Sequence, residues 1–115
     1  MRKVAIFAFK GNPICFIHVL LNALDLHEKG ADVKIILEGE AIGLVKELRK
    51  AAHPLHKHYS KAKDLALIHA VCRACAVKMG SLQVVEEEGL TVVDDMYGHA
   101  SMASYLEQDY EIITL

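Results

Sequence analysis

The chain has 115 residues, enough for one domain spanning 1–115 and too few for a second independent core. Apolar residues make up 53% and charged residues 24%, a balance that supports a packed core and excludes a disordered chain. A net charge of −2, 6% aromatic residues and no Trp argue against a nucleic-acid partner, and no apolar run reaches the roughly 18–20 residues that span a membrane.

Lys3–Phe9 is a short apolar block rich in β-formers, closed by the turn Lys10-Gly11-Asn12-Pro13, and reads as a buried strand. Its opening mimics a signal peptide, but the apolar stretch ends at Lys10 with no small-residue cleavage site after it. From Ile14 the pattern turns helical: Phe16, Val19, Leu20 and Ala23 share a face, and Gly30 closes the helix. Ile17, Leu21 and Leu24 add apolar residues on other sides, as in a helix that is deeply buried or shared with another subunit.

Asp32–Leu37 is the second strand. An amphipathic helix follows near Glu40–Ala51, with Ala41, Leu44, Val45 and Leu48 inward. His53–Lys63 is polar and reads as a loop or a partly helical lid. Its histidines His53, His56 and His58 have metal-ligand character, but Lys57, Lys61 and Lys63 would repel a cation. Leu65–Val71 is a third strand that runs into Cys72, and a short helix then reaches Gly80. Ser81–Glu88 is a second short helix, stopped by Gly89. Leu90–Val93 is a fourth strand, followed by the turn residues Asp94 and Asp95. Ala100–Gln108 is a helix with Met102, Tyr105 and Leu106 inward, and Ser101 is placed to cap it. Tyr110–Leu115 is the last strand. Strands alternating with helices through short connections imply an α/β fold: a mainly parallel sheet covered by helices on both faces.

Ligands of such folds bind outside the carboxyl ends of the strands. Four loops qualify: Lys10-Gly11-Asn12, Glu38-Gly39-Glu40, Cys72–Cys75 and Asp94–His99. Lys10 and Asn12 are therefore candidate binding residues, although Lys10-Gly11-Asn12 lacks the spacing of a phosphate loop. The third loop carries Cys72-Arg73-Ala74-Cys75. A strand-to-helix handover places Cys72 at a helix start, where backbone amides and the nearby cations Arg73 and Lys78 favour a thiolate. His99 is a further candidate for tuning that thiol. The spacing lets one cysteine resolve a bond formed on the other. A structural zinc site is not expected, because one C-x-x-C supplies only two of four ligands; a metal site built from the His53–His58 histidines and the cysteines is a third reading, and no organic cofactor is required. Cys15 reads as a small core residue near the same loops. Reduced thiols, rather than a disulfide framework, fit a cytoplasmic protein.

Taken in order, the Lys3–Phe9 strand, Ala70-Val71-Cys72-Arg73-Ala74-Cys75-Ala76 with Gly80, and the close resemble the DsrE/DsrF-like family of small sulfur-relay proteins. That close runs Gly98-His99-Ala100-Ser101-Met102-Ala103, Tyr105-Leu106 and Tyr110–Leu115. The resemblance covers nearly the whole chain. It implies a three-layer α/β/α sandwich with a five-stranded, mostly parallel sheet, and a homo-oligomer, commonly a trimer or hexamer. It also implies a cysteine at the Cys72–Cys75 loop that takes sulfur from a donor as a persulfide and hands it to a partner protein. Cys72, at the strand end, is the expected relay cysteine, with Cys75 resolving or sheltering the sulfur. The second cysteine and the His53–Lys63 loop depart from the relay subunits. The alternative expectation is a non-catalytic oligomeric ligand-binding or redox-sensing module on the same loops.

Overall fold

The computed structural model describes residues 1–115. Five strands, β1 (Lys3–Ala8), β2 (Asp32–Leu37), β3 (Ile68–Cys72), β4 (Val92–Val93) and β5 (Glu111–Thr114), form one sheet in the order β4-β3-β2-β1-β5. Every neighbouring pair is parallel. The central strands carry the apolar runs that burial on both faces demands: Val4 to Ala8 of β1 and Ile35 to Leu37 of β2 are all inaccessible to solvent.

Six α-helices connect the strands: α1 (Pro13–Glu28), α2 (Val45–Leu48), α3 (His56–Asp64), α4 (Arg73–Lys78), α5 (Leu82–Glu87) and α6 (Met102–Leu106). A 3₁₀ helix over Gly39–Leu44 leads into α2. From β1 to β4 the chain steps one strand at a time in a single direction, then crosses back to set β5 beside β1. Right-handed crossovers place the connections of the first three steps on one face and the returning connection on the other. Accordingly α1 lies against β2 and α3, whereas Tyr105 of α6 meets Phe7 edge-on with ring centroids 5.5 Å apart. The sheet is the middle of three α/β/α layers.

The inward stripe Ala41, Leu44, Val45 and Leu48 is buried as expected, but not on one helix over Glu40–Ala51. Gly39 and Gly43 weaken an α-helix there, and the segment tightens into 3₁₀ geometry before one α turn. Much of the His53–Lys63 stretch is α3, because Tyr59 and Ala62 share a buried face. β4 is shorter than Leu90–Val93: only Val92 and Val93 join the ladder, while Leu90 is buried outside it. The last helix is also shorter than expected. Tyr105 is buried and Met102 half-buried, but Leu106 points to solvent.

The Tyr59 hydroxyl donates to the Glu88 carboxylate, and Lys63 reaches the same oxygen at 3.1 Å. Burial by itself raises the Glu88 pKa, but Tyr59, Lys63 and Arg49 outweigh it and hold the carboxyl below its usual range. A depressed folded pKa contributes stability that is complete above the unfolded value, about 4.3, and is lost as pH falls through the folded one. Tyr59→Phe should therefore lower the unfolding free energy by about 1.5–3 kcal/mol at pH 7. In urea titrations that deficit should shrink on acidification below about pH 4.

Candidate functional site

β3 ends without a loop: Cys72 is both its last residue and the N-cap of α4, in extended conformation. Its side chain is completely buried. Cys75 lies three residues on, in the first turn of α4, so both sulfurs fall on one side of the handover. Cys75 is half-buried and opens onto a cavity of about 520 Å³ that it shares with Gly39, Glu40, Lys78, Met79 and His99.

His99 reaches the pair through a tight reversal. Met96 and His99 exchange both backbone hydrogen bonds, at 2.9 and 2.8 Å. Tyr97 and Gly98 between them have φ of +50° and +87°, the consecutive positive values that a type I′ reversal requires. The Ala74 amide donates to the Gly98 carbonyl at 2.9 Å and ties this reversal to the cysteine loop. The result places His99 Nδ1 3.2 Å from Cys72 Sγ and 3.8 Å from Cys75 Sγ.

A fourth group enters from the next strand. Glu38 follows β2, and its amide donates to the Ala8 carbonyl at 2.9 Å, which continues the ladder one residue past the strand. As a residue Glu38 is 8% exposed. Gly39, with φ of +54°, then turns the chain away. One ligand atom each from Glu38, Cys72, Cys75 and His99 lies within 4.8 Å of all the others. Burial raises the Glu38 carboxyl above its usual range, and His99 opposes the shift. Burial also raises the Cys72 thiol; the amides of Cys75 and Ala100 pull it down, and the Cys75 side chain pushes it up again.

Of the residues singled out from the sequence, Cys72, Cys75 and His99 come together. The expectation of an accessible, ionised Cys72 is not met: the sulfur lies beneath the sheet edge, and α4 is only six residues long. Arg73 is exposed and is not part of the cavity wall; Lys78, one turn on, is. Lys10 is exposed, and Asn12 caps α1 by accepting from the Ile14 amide at 2.8 Å. Cys15 sits half-buried in the first turn of α1, outside the cluster. The histidines of the His53–Lys63 stretch are also outside it: His53 accepts from the Leu55 amide, and His56 pairs with the Leu48 carbonyl. Ser101 caps α6 by accepting from the Ser104 amide, as expected. Glu38 was not foreseen as a site residue. Its only signal is position, in one of the four loops at the strand ends. Together with His99 it completes in space the set of four ligands of which C-x-x-C supplies two.

No family model matches the chain. It is 42% identical over 104 residues to the uncharacterized protein MJ0733 of Methanocaldococcus jannaschii, a match covering 90% of this chain and 83% of that protein. An uncharacterized protein of Archaeoglobus fulgidus is 51% identical over 35 residues, 30% of this chain and 95% of the relative. Among solved structures, BT1422 of Bacteroides thetaiotaomicron, a conserved protein of unknown function, superposes with a TM-score of 0.74. That superposition covers 98% of this chain and 94% of the other at 19% identity, a likeness of fold.

The burial difference sets an order of reactivity. In native protein treated with iodoacetamide and mapped by peptide mass, Cys75 should be alkylated at least about tenfold faster than Cys72. Unfolding in urea should abolish the difference.

Proposed function

The chain belongs to the family of the Methanocaldococcus jannaschii protein MJ0733, and from its site we propose that it is a sulfur carrier holding a persulfide on Cys75. The observation that carries this reading is the placement of His99 Nδ1 within reach of both sulfurs, of which only Cys75 meets the cavity. The resemblance to sulfur-relay proteins supports the same chemistry. The burial of Cys72 moves the acceptor role to its neighbour.

His99 Nδ1 takes the Cys75 proton. The thiolate attacks the outer sulfur of a donor R–S–SH. The donor's S–S bond breaks, and R–S⁻ leaves with the electron pair and recovers a proton from His99 as R–SH. Cys75 now carries –S–SH. An acceptor thiolate later attacks the outer sulfur, and Cys75 departs as thiolate. Lys78 on the cavity wall favours anionic sulfur there. Cys72 stands behind as a resolving thiol: its attack on the inner sulfur releases hydrosulfide and closes a Cys72–Cys75 disulfide. The chain's own residues suffice, without an organic cofactor.

The partners on this reading are a sulfur donor and an acceptor protein in a reducing, cytoplasmic setting, and further copies of the chain in a trimer or hexamer. Exposed Ile14 and Leu21 on α1 support self-association. No helix is long and apolar enough to cross a membrane. The closeness of the two sulfurs favours a second reading, an oxidation-sensing dithiol.

Intact-mass analysis after exposure to a glutathione persulfide donor separates the two readings. A carrier gains the mass of one sulfur atom, located on Cys75. It keeps the gain in Cys72→Ser, loses it in Cys75→Ser, and loads about a hundredfold more slowly in His99→Ala. A sensor loses two hydrogens in the wild type and takes up no sulfur in Cys72→Ser, where the disulfide cannot close, and sulfur located on Cys72 would overturn the assignment.

A further inference from the structure

The cluster at the sheet edge has a composition that thiol chemistry does not explain. A persulfide carrier needs a thiol, a base and a route to solvent. It has no use for a carboxylate aimed at the same point, since negative charge disfavours a thiolate. Glu38 is buried as a residue, and its carboxylate, whose oxygens still touch solvent, forms neither a hydrogen bond nor an ion pair with any other protein group, yet it faces two sulfurs and an imidazole. A carboxylate, two thiols and an imidazole converging within 4.8 Å make a donor set for a transition-metal ion.

We propose that Glu38, Cys72, Cys75 and His99 form a tetrahedral site for a thiophilic divalent metal ion of the zinc class. The dimensions fit. Bonds of about 2.3 Å to sulfur and about 2.0–2.2 Å to nitrogen and oxygen put tetrahedral ligands about 3.3–3.8 Å apart. His99 Nδ1 stands 3.2 and 3.8 Å from the two sulfurs, and the whole set lies within 4.8 Å. Small side-chain rotations suffice to close on an ion. The ligand types choose the metal: two thiolates with an imidazole select zinc-class ions and reject magnesium and calcium, which take oxygen. The fold also supplies rigidity and access. The ligands come from the ends of three adjacent parallel strands, with the Ala74–Gly98 hydrogen bond between two of the loops. Cys75 and His99 line the cavity, so the ion enters from solvent.

On binding, both thiol protons leave and each sulfur donates a lone pair to the metal. All four positions are taken by protein, which makes the site a closed one, without room for a reacting water. The consequence for sulfur transfer rests on the carrier reading: a metal-bound Cys75 shares its charge with the cation and attacks a donor more slowly than a free thiolate. The site itself does not depend on that reading.

The test is a Co²⁺ titration of reduced, sulfur-free, tag-free protein. The expected result is one Co²⁺ per chain, with the strong visible bands of tetrahedral cobalt and a near-ultraviolet thiolate-to-cobalt transition, displaced by Zn²⁺. Cys75→Ser should weaken the thiolate transition, and Glu38→Gln and His99→Gln should each weaken affinity by about 10–100-fold. Glu38→Gln preserves size, and an unchanged circular dichroism spectrum shows that its fold is intact. Absence of the thiolate transition, binding unchanged in Cys75→Ser, or full affinity in both Glu38→Gln and His99→Gln would overturn the site. Sulfur loading is measured separately by mass on metal-free protein, so either proposal can fail while the other stands.

Discussion

The site exists because neighbouring strands run the same way. In a parallel sheet every strand delivers its carboxyl end to one edge, and β2, β3 and β4 are adjacent. Glu38, Cys72 and the loop that carries His99 follow those three strands in turn. Residues 34 and 27 positions apart in the chain thus become neighbours without a long loop. The position lies away from the gap between β1 and β5, where the chain reverses its direction of travel across the sheet and where such folds often bind ligands. Here that end of the sheet uses Asn12 to start α1.

A second constraint divides the labour between the thiols. Cys72 occupies the last strand position, where the sheet and the first turn of α4 exclude water. Cys75, one helical turn on, faces outward. The pair therefore has an inner and an outer member fixed by backbone geometry. The raised pKa of Cys72 follows from that placement, since a thiolate there would give up hydration for two backbone amides. The expected benefit of a helix start is outweighed by burial.

On the two proposals, the same cluster would meet two kinds of soft electrophile, a sulfane sulfur at Cys75 and a thiophilic metal ion at all four side chains. Both would draw on the electron density of Cys75, so a bound metal ion would slow sulfur loading at that residue. The carboxylate of Glu38 distinguishes their needs. It opposes a free thiolate but adds a ligand and negative charge around a divalent cation.

The fold class was legible in the residues because each buried strand and each inward stripe leaves a local period: Val4–Ala8, the face Phe16, Val19, Leu20 and Ala23, and the stripe Ala41, Leu44, Val45 and Leu48 all reached the core. The C-x-x-C pair at the end of β3 and the Ser101 cap were legible for the same reason, being features of a few consecutive residues. Strand order, the 3₁₀ form of Gly39–Leu44 and the burial of Cys72 were not, because each depends on what lies opposite. Glu38 is the plainest example: one acidic residue after a strand has no motif, and only the alignment of β2 beside β3 brings it to the sulfurs. Local chemistry is written along the chain, whereas proximity across strands and exclusion of water are properties of packed layers. Tertiary structure therefore decided which sulfur meets solvent and which ligands complete the cluster.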